Sequence, residues 1–87
     1  MKSLLRTNAY VKKVKENLEC PISYDIMTEA VITPYGRSYQ EKAIKKWVRK
    51  YHNDPLTRYS LDVSDLKPNY DLRRMVEEYI ATYGNEE

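Results

Sequence analysis

The stretch CPISYDIMTEAVITPYGRSYQEKAIKKWV, residues 20–48, decides the fold of this chain. Residues 30–33 are apolar or β-branched, residues 34–36 have the composition of a turn, and residues 37–39 can pair back, which predicts a short β-hairpin. A helical period begins directly after the hairpin. A hairpin followed at once by a helix indicates a small domain of the α+β class.

The helix after the hairpin is predicted from Gln40 to Tyr51. It is amphipathic, because apolar residues recur at steps of three and four on one side while cations occupy the other side. The apolar stripe consists of Ala43, Ile44, Trp47, Val48 and Tyr51, and the basic face consists of Lys42, Lys45, Lys46, Arg49 and Lys50. This is the predicted central helix of the domain.

Both flanks of this unit carry further structural signals. Residues 52–68 contain turn formers but no sustained period, which indicates a structured loop with one short strand. Upstream, a short amphipathic helix is predicted from Asn8 to Leu18. Asn69 is a suitable N-cap for a C-terminal helix that ends near Gly84. The apolar positions of that helix are Leu72, Met75, Val76, Tyr79, Ile80 and Tyr83.

The length and the cysteine count bound the architecture. With 87 residues the chain fits one small domain, and no internal repeat is apparent. We expect residues 1–15 to form a helical N-terminal extension, residues 16–83 to form the main domain, and residues 84–87 to form a polar tail or linker. The single cysteine, Cys20, and the single histidine, His52, provide neither a disulfide nor the four ligands of a structural zinc site.

Charge and hydropathy give little information about binding partners. The net charge is only +2, and cations and anions are mixed along the chain, so neither a nucleic acid nor a membrane is indicated as a partner. No apolar run approaches the length of a membrane span, and the N-terminus lacks the apolar stretch of a signal peptide. We therefore expect a reducing, cytoplasmic compartment.

The ordered motifs CPIS, AVIT, AIKKWV, DPLTRYSL and LKPNYDLRRMVEEY resemble those of the U-box family, zinc-free relatives of the RING finger. A RING finger holds two zinc ions with eight Cys or His ligands. Counted from Cys20, the equivalent positions here are Cys20, Ser23, Tyr35, Arg37, Gln40, Ala43, Asp54 and Thr57, of which only the first is a Cys or His ligand of the kind that a structural zinc site uses. The ligand spacing is kept while the ligands are lost. The chain departs from the family where residues 35–38 replace a common Cys-Gly-His-Thr-like stretch.

The resemblance implies a RING-like fold that needs no metal and no cofactor. Its parts would be a small hairpin or three-stranded sheet, a central helix, two long loops, a C-terminal helix and a short N-terminal helix. Hydrogen bonds and an acidic–basic pair would replace metal coordination, because buried polar groups must be paired. The residues at the former ligand positions that would form this network are Ser23, Tyr35, Arg37, Gln40, Asp54 and Thr57.

The resemblance also implies a function as a ubiquitin ligase. Its partners would be a ubiquitin-conjugating enzyme carrying ubiquitin, ubiquitin itself and a protein substrate. The ligase would supply no nucleophile, and Arg58 would be the cation that holds the thioester in a reactive arrangement. The surface that binds the conjugating enzyme would consist of Ile22, Tyr24, Trp47, Pro55 and Leu56.

Three other interpretations stay open at the level of sequence. The domain could be a catalytically silent module for protein interaction or homodimerisation, with Tyr70, Tyr79 and Tyr83 as its interface. Cys20 could be a thioester-forming nucleophile with His52 as its base. Lys12, Lys13 and Lys15 could join the basic face of the central helix as a nucleic-acid patch, although such charge runs are usually solvated faces. Some intracellular bacteria deliver similar domains into host cells, which would make the host cytosol the working compartment.

Overall fold

The computed structural model describes residues 11–84. Within them the chain folds into helices packed on one small sheet. Residues 11–17 are helical and are called α1. The elements that follow are β1 (Ala30–Ile32), β2 (Ser38–Gln40), α2 (Glu41–Tyr51), a 3₁₀ turn (Val63–Asp65), β3 (Lys67–Pro68) and α3 (Tyr70–Tyr83). The predicted α+β class is confirmed. No helix in the described ranges is both long and apolar enough to cross a membrane.

The sheet has three antiparallel strands in the order β2-β1-β3. The predicted hairpin is confirmed, with Val31 opposite Tyr39 in its centre. Its turn is closed by the Gly36 N–H, which donates to the Thr33 carbonyl at 3.0 Å. Gly36 has a φ of 82°, a left-handed conformation that glycine adopts without steric cost. Strand β3 pairs with the other edge of β1 and places Pro68 opposite Val31, so the predicted short strand belongs to this sheet.

Helix α2 follows β2 without an intervening loop. It begins at Glu41, one residue after the predicted start, and ends at Tyr51 as predicted. Its buried side chains are Ile44 and Val48, which lie on the predicted apolar stripe. The chain leaves the helix through His52, whose φ of 59° lets its N–H donate to the Val48 carbonyl at 2.8 Å.

Two apolar clusters form the core. The larger one lies between the sheet, α2 and the loops and consists of Cys20, Met27, Ala30, Val31, Tyr39, Ile44, Val48 and Leu61. The smaller one, with Val11 and Val14 of α1 packed against it, consists of Leu18, Val76 and Tyr79. Leu72 contacts both clusters and therefore ties α3 to the rest of the domain. The predicted N-terminal helix is observed from residue 11 onward, and its first three positions and most of the predicted extension lie outside the described residues.

Asn69 caps α3, as predicted. Its side-chain oxygen accepts a hydrogen bond from the Leu72 N–H at 3.0 Å. Its side-chain nitrogen donates to the Ser38 hydroxyl at 2.9 Å, and its backbone N–H donates to the Ala30 carbonyl at 2.9 Å. The cap therefore also fixes the start of α3 against the sheet.

The apolar stripe predicted for α3 is wider than the face that the helix buries. Val76 and Tyr79 are buried, whereas Met75 is 54% exposed and Ile80 is 46% exposed. The periodicity identified the helix correctly, but a helix that packs on one flank buries only the centre of its stripe.

Candidate functional site

Loop one, residues 20–25, is a tight turn built on a buried cysteine. The Cys20 N–H donates to the Asp25 carbonyl at 2.8 Å, and the Cys20 carbonyl accepts from the Tyr24 N–H at 2.8 Å. The Cys20 thiol is fully buried, and its Sγ accepts a bond from the Ile22 N–H at 3.4 Å. The cysteine thus anchors the loop through its backbone and its side chain.

Loop two, residues 54–59, has the same hydrogen-bond pattern built on a buried aspartate. The Asp54 N–H donates to the Tyr59 carbonyl at 2.8 Å, and the Asp54 carbonyl accepts from the Arg58 N–H at 2.8 Å. Oδ1 of Asp54 accepts from the Leu56 N–H at 2.8 Å, just as the Cys20 sulfur accepts from the Ile22 N–H in loop one. Carboxylate and thiol therefore occupy equivalent places in two equivalent turns.

The fifth residue of each loop has a left-handed backbone conformation. The φ angle is 64° at Tyr24 and 67° at Arg58. Such a conformation costs a non-glycine residue roughly 1–2 kcal/mol, so both loops hold their fifth residue against a local preference. Both side chains are exposed. The two loops therefore share a backbone geometry, and proline is the only residue that is identical at equivalent positions.

A groove lies between loop one and α2. It has a volume of about 300 Å³, and it is lined by Ile22, Ala43, Lys46, Trp47, Lys50 and Tyr51. Ile22 is half-buried, with its side chain packed against the larger core cluster. The structure therefore brings together Ile22 and Trp47, two of the residues that the resemblance assigned to partner binding.

Trp47 is held at the groove by three neighbours. Its Nε1–H donates to the Asn53 side-chain oxygen at 2.9 Å, and its ring lies 4.2 Å from the Tyr51 ring. The guanidinium carbon of Arg58 lies 5.9 Å from the centre of the Trp47 ring, within the range of a cation–π contact. Arg58 therefore joins loop two to the groove. Asn53 and Tyr51 were not among the predicted site residues.

The other predicted binding residues lie on the loops outside the groove. Leu56 is 50% exposed and Tyr24 is 73% exposed, while Pro55 is half-buried. Leu56 occupies in loop two the position that Ile22 has in loop one.

Asp54 is the centre of the polar network. Its side chain is fully buried, and Oδ1 accepts from the Tyr39 hydroxyl at 2.8 Å and from the Thr57 N–H at 3.2 Å. Oδ2 is buried and accepts no hydrogen bond from residues 11–84. The expected acidic–basic pair is not formed at Asp54, because a tyrosine hydroxyl and two loop N–H groups take the place of a cation. Tyr39 was not among the predicted network residues.

Comparison with known proteins identifies the family. The sequence profile described as the U-box domain matches residues 14–85. The chain belongs to the U-box family. It is similar to the E3 ubiquitin-protein ligase SPL11 of Oryza sativa subsp. japonica, with 34% identity over 84% of the chain, and to U-box domain-containing protein 34 of Arabidopsis thaliana, with 38% identity over 91% of the chain. The chain spans only 11% of the length of each of these relatives.

A solved structure supports the RING-like fold of the U-box. The RING finger-like domain of Retinoblastoma Binding Protein-6 matches the chain with a TM-score of 0.73 and 30% sequence identity. The match covers 79% of each chain. Within residues 11–84 of the U-box, no three His, Cys, Asp or Glu side chains form a group that could hold a metal ion.

Two further network candidates tie the hairpin to the loops of the U-box. The Tyr35 hydroxyl donates to the Ser60 carbonyl at 2.7 Å, which links the hairpin turn to the end of loop two. The Gln40 side-chain oxygen accepts from the Glu29 N–H at 3.0 Å, and its nitrogen donates to the Thr28 hydroxyl at 3.1 Å. Gln40 thereby joins the start of α2 to the chain that enters β1.

The remaining candidates act locally. The Ser23 hydroxyl accepts from the Asp25 N–H at 3.3 Å, and the Thr57 hydroxyl accepts from the Tyr59 N–H at 3.2 Å, again at equivalent places in the two loops. The Arg37 side chain is exposed and makes no hydrogen bond or ion pair with residues 11–84. Five of the six candidates therefore form ties through their side chains, Arg37 forms none, and only Asp54 and Thr57 are bonded to each other.

The burial of Cys20 argues against the interpretation of this residue as a nucleophile. Its relative exposure is 0%, and a thioester on another protein has no access to a sulfur atom inside the core. His52 lies in the exposed turn that ends α2. Cys20 has a structural role in loop one of this U-box.

The surroundings of Tyr39 predict that the U-box loses stability at alkaline pH. Burial raises the pKa of Tyr39, and so do its hydrogen bond to Asp54 and the negative charge of that residue, while Arg37 lowers the pKa by less. The unfolded chain has a tyrosine pKa of about 10, so stability is fully present below that pH and is lost as the pH rises toward the higher folded value.

We expect the free energy of unfolding to fall more steeply above about pH 10 in the wild type than in Tyr39→Phe, by up to about 1.4 kcal/mol per pH unit. Denaturant titrations at pH 8 and at several values above pH 10 measure this difference. Tyr70→Phe, which changes a tyrosine that is 68% exposed, is the matched control and should follow the wild type. Parallel curves for wild type and Tyr39→Phe would contradict the assignment.

Proposed function

We propose that this U-box binds a ubiquitin-loaded conjugating enzyme and promotes the transfer of ubiquitin to a substrate lysine. The observation that carries the proposal is the groove in which Ile22 of loop one faces Trp47 of α2, with Arg58 of loop two against the same tryptophan. Three separate elements thus contribute to one surface.

The chemistry of this surface suits a transient protein partner. The groove is shallow and partly apolar, and Leu56 and Tyr24 are exposed on the two loops. Each loop is anchored by a fully buried first residue, so little conformational entropy is lost when a partner binds. Relatives whose names call them E3 ubiquitin-protein ligases support this assignment.

In the proposed reaction the U-box supplies no nucleophile. The ε-amine of a substrate lysine attacks the thioester carbon of ubiquitin, the carbon–sulfur bond breaks, and the conjugating enzyme keeps the thiolate. An amide bond forms, and the amine loses a proton. The U-box accelerates this step by restricting the motion of ubiquitin on the conjugating enzyme, since positioning alone can lower a barrier by several kcal/mol.

Arg58 is the proposed positioning residue. Its guanidinium offers five donors in a rigid fork, which suits a residue that bridges carbonyl groups of two proteins. Its backbone is fixed by the N–H bond to the Asp54 carbonyl, and its side chain is exposed beside Trp47. One or two charge-assisted hydrogen bonds of about 1.4 kcal/mol each would raise the rate about tenfold per bond.

Arg58→Ala tests this role. We expect discharge of the loaded conjugating enzyme to slow by about tenfold or more, while the dissociation constant of the complex changes by less than about threefold. Alanine keeps a β-carbon, so the left-handed backbone strain at this position stays the same. Arg58→Lys keeps the charge without the fork and should recover only part of the rate.

The control for this experiment is Arg74→Ala, which removes an exposed arginine from α3. It should leave both binding and discharge unchanged. Equal losses of binding and discharge in Arg58→Ala would assign Arg58 to binding, and an unchanged discharge rate would remove it from the mechanism.

The second candidate function is a catalytically silent U-box that acts as an interaction or dimerisation module. The exposed Tyr70, Met75 and Ile80 on α3 favour it, whereas Tyr79 is buried in the smaller core cluster and is unsuited to an interface. A chain that sediments as a dimer and leaves the discharge rate unchanged would support this alternative. A monomer that accelerates discharge would exclude it.

A further inference from the structure

The groove between loop one and α2 has a basic wall. Lys46 and Lys50 line it opposite Ile22, and they lie one helical turn apart on α2. Both are exposed. The outer side of the helix carries a second shallow depression, lined by Lys42, Lys46, Arg49 and Lys50. Lys46 and Lys50 therefore form a ridge, here called the lysine ridge, that borders both depressions.

Most cations of α2 have no acidic partner within residues 11–84. Lys45 donates to Glu41 at 2.6 Å. No ion pair with a described residue is formed by the other four cations of the helix, Lys42, Lys46, Arg49 and Lys50. Lys46 lies four positions from Lys42 and four from Lys50, a spacing at which like charges repel on a helix.

The helix dipole accounts for only part of this charge. Cations in the last turn of a helix are stabilised by its C-terminal partial charge, and that turn contains Arg49 and Lys50. Lys50 also lies 5.2 Å from the centre of the Tyr51 ring. Lys42 lies in the first turn of α2 and Lys46 lies at the middle of the helix, so neither belongs to the last turn in which the dipole stabilises a cation. The concentration of charge along the groove therefore exceeds what the fold needs, although the whole chain carries only +2.

We infer that the lysine ridge selects conjugating enzymes whose groove-facing surface is acidic, with Lys46 and Lys50 as specificity-determining residues. The inference rests on the proposed function, because the occupant of the groove is the conjugating enzyme. Acidic side chains opposite the ridge pair with its ammonium groups and speed the encounter, whereas a basic surface is repelled at the edge of the same groove. Charge complementarity thus adds a choice of partner to the apolar contacts of Ile22 and Trp47.

The test is a double charge reversal, Lys46→Glu with Lys50→Glu. Dissociation constants are measured for two loaded conjugating enzymes, one acidic and one basic on the surface that meets the groove. At low salt we expect the reversal to weaken the acidic partner by about tenfold or more and to tighten the basic one. Both effects should shrink at high salt, because exposed charges are screened.

The matched control is Lys12→Glu with Lys13→Glu, which changes the net charge equally on the exposed side of α1. We expect it to leave the preference between the two enzymes unchanged. A neutral variant, Lys46→Gln with Lys50→Gln, should lose the preference without reversing it. Thermal melting of each variant verifies that the helix is retained.

The outcomes separate the two proposals. A preference that is unchanged by the ridge reversal, or changed equally by the α1 control, overturns the lysine ridge while the groove remains the binding site. Failure of the wild type to bind either enzyme overturns the proposed function together with this inference.

Discussion

Asp54→Ala should lower the free energy of unfolding by about 3–5 kcal/mol, because three hydrogen-bond donors lose their acceptor, and this is a large share of the roughly 5–15 kcal/mol that a domain usually has. The substitution removes the acceptor of the Tyr39 hydroxyl and of the Leu56 and Thr57 N–H groups. Each donor left unpaired in the interior costs about 1–3 kcal/mol. Loop two should lose its structure first, since two of these three donors belong to it.

Denaturant titration with backbone hydrogen exchange measures both parts of this expectation. Asp54→Asn keeps an oxygen acceptor for the same donors and should lose less stability than the alanine variant. Asp25→Ala changes an exposed aspartate in loop one and serves as the control. A melting transition of Asp54→Ala that coincides with that of the wild type would show that the network is dispensable.

Ile22→Ala should weaken binding of the conjugating enzyme by some thirtyfold, the effect of losing a central anchor worth about 2 kcal/mol. Ile22 lines the groove opposite Trp47, so its removal leaves the partner without an apolar contact from loop one. The side chain is only half-buried, and the domain should therefore remain folded. Discharge at low enzyme concentration should be close to the rate without the U-box.

Calorimetry or an NMR titration measures this loss of affinity, and a melting curve shows whether the variant is folded. Ile80→Ala makes the same chemical change at a 46% exposed position of α3 and should leave binding unchanged. Normal discharge by Ile22→Ala, or an equal loss in Ile80→Ala, would contradict the assignment of the groove.

Local signals in the sequence were sufficient to predict the elements of the fold. The helical period identified α2 within one residue, and Asn69 identified the start of α3, because a cap acts only on its own first turn. Pro34 and Gly36 located the hairpin for the same reason. These features depend on neighbours in the chain, which the sequence shows directly.

The polar network was harder to predict because it depends on contacts between distant parts of the chain. Asp54 was identified as a network residue, but its partner Tyr39 is fifteen residues away and belongs to a strand. A tyrosine between two polar residues of a hairpin reads as an ordinary inward-facing position. Only the folded structure shows that the hydroxyl of Tyr39, on β2, contacts the carboxylate of Asp54 in loop two.

The equivalence of Cys20 and Asp54 as loop anchors was also difficult to predict from the sequence. A thiol at Cys20 and a carboxylate at Asp54 accept the same backbone hydrogen bond, from Ile22 and from Leu56 respectively. The two anchors differ in chemistry but share a geometry, so comparison of their residue types does not reveal the equivalence. The local traces are the shared proline, an aliphatic third residue, a hydroxyl at the fourth residue and the left-handed fifth residue, the last of which requires backbone angles.

The most direct test of the central claim is single-turnover discharge of a ubiquitin-loaded conjugating enzyme to free lysine, with and without the U-box and in the presence of a zinc chelator. The proposed function predicts that the wild-type U-box accelerates discharge and that the chelator leaves this acceleration unchanged. An unaccelerated rate across a panel of conjugating enzymes, or an acceleration that the chelator abolishes, would contradict it.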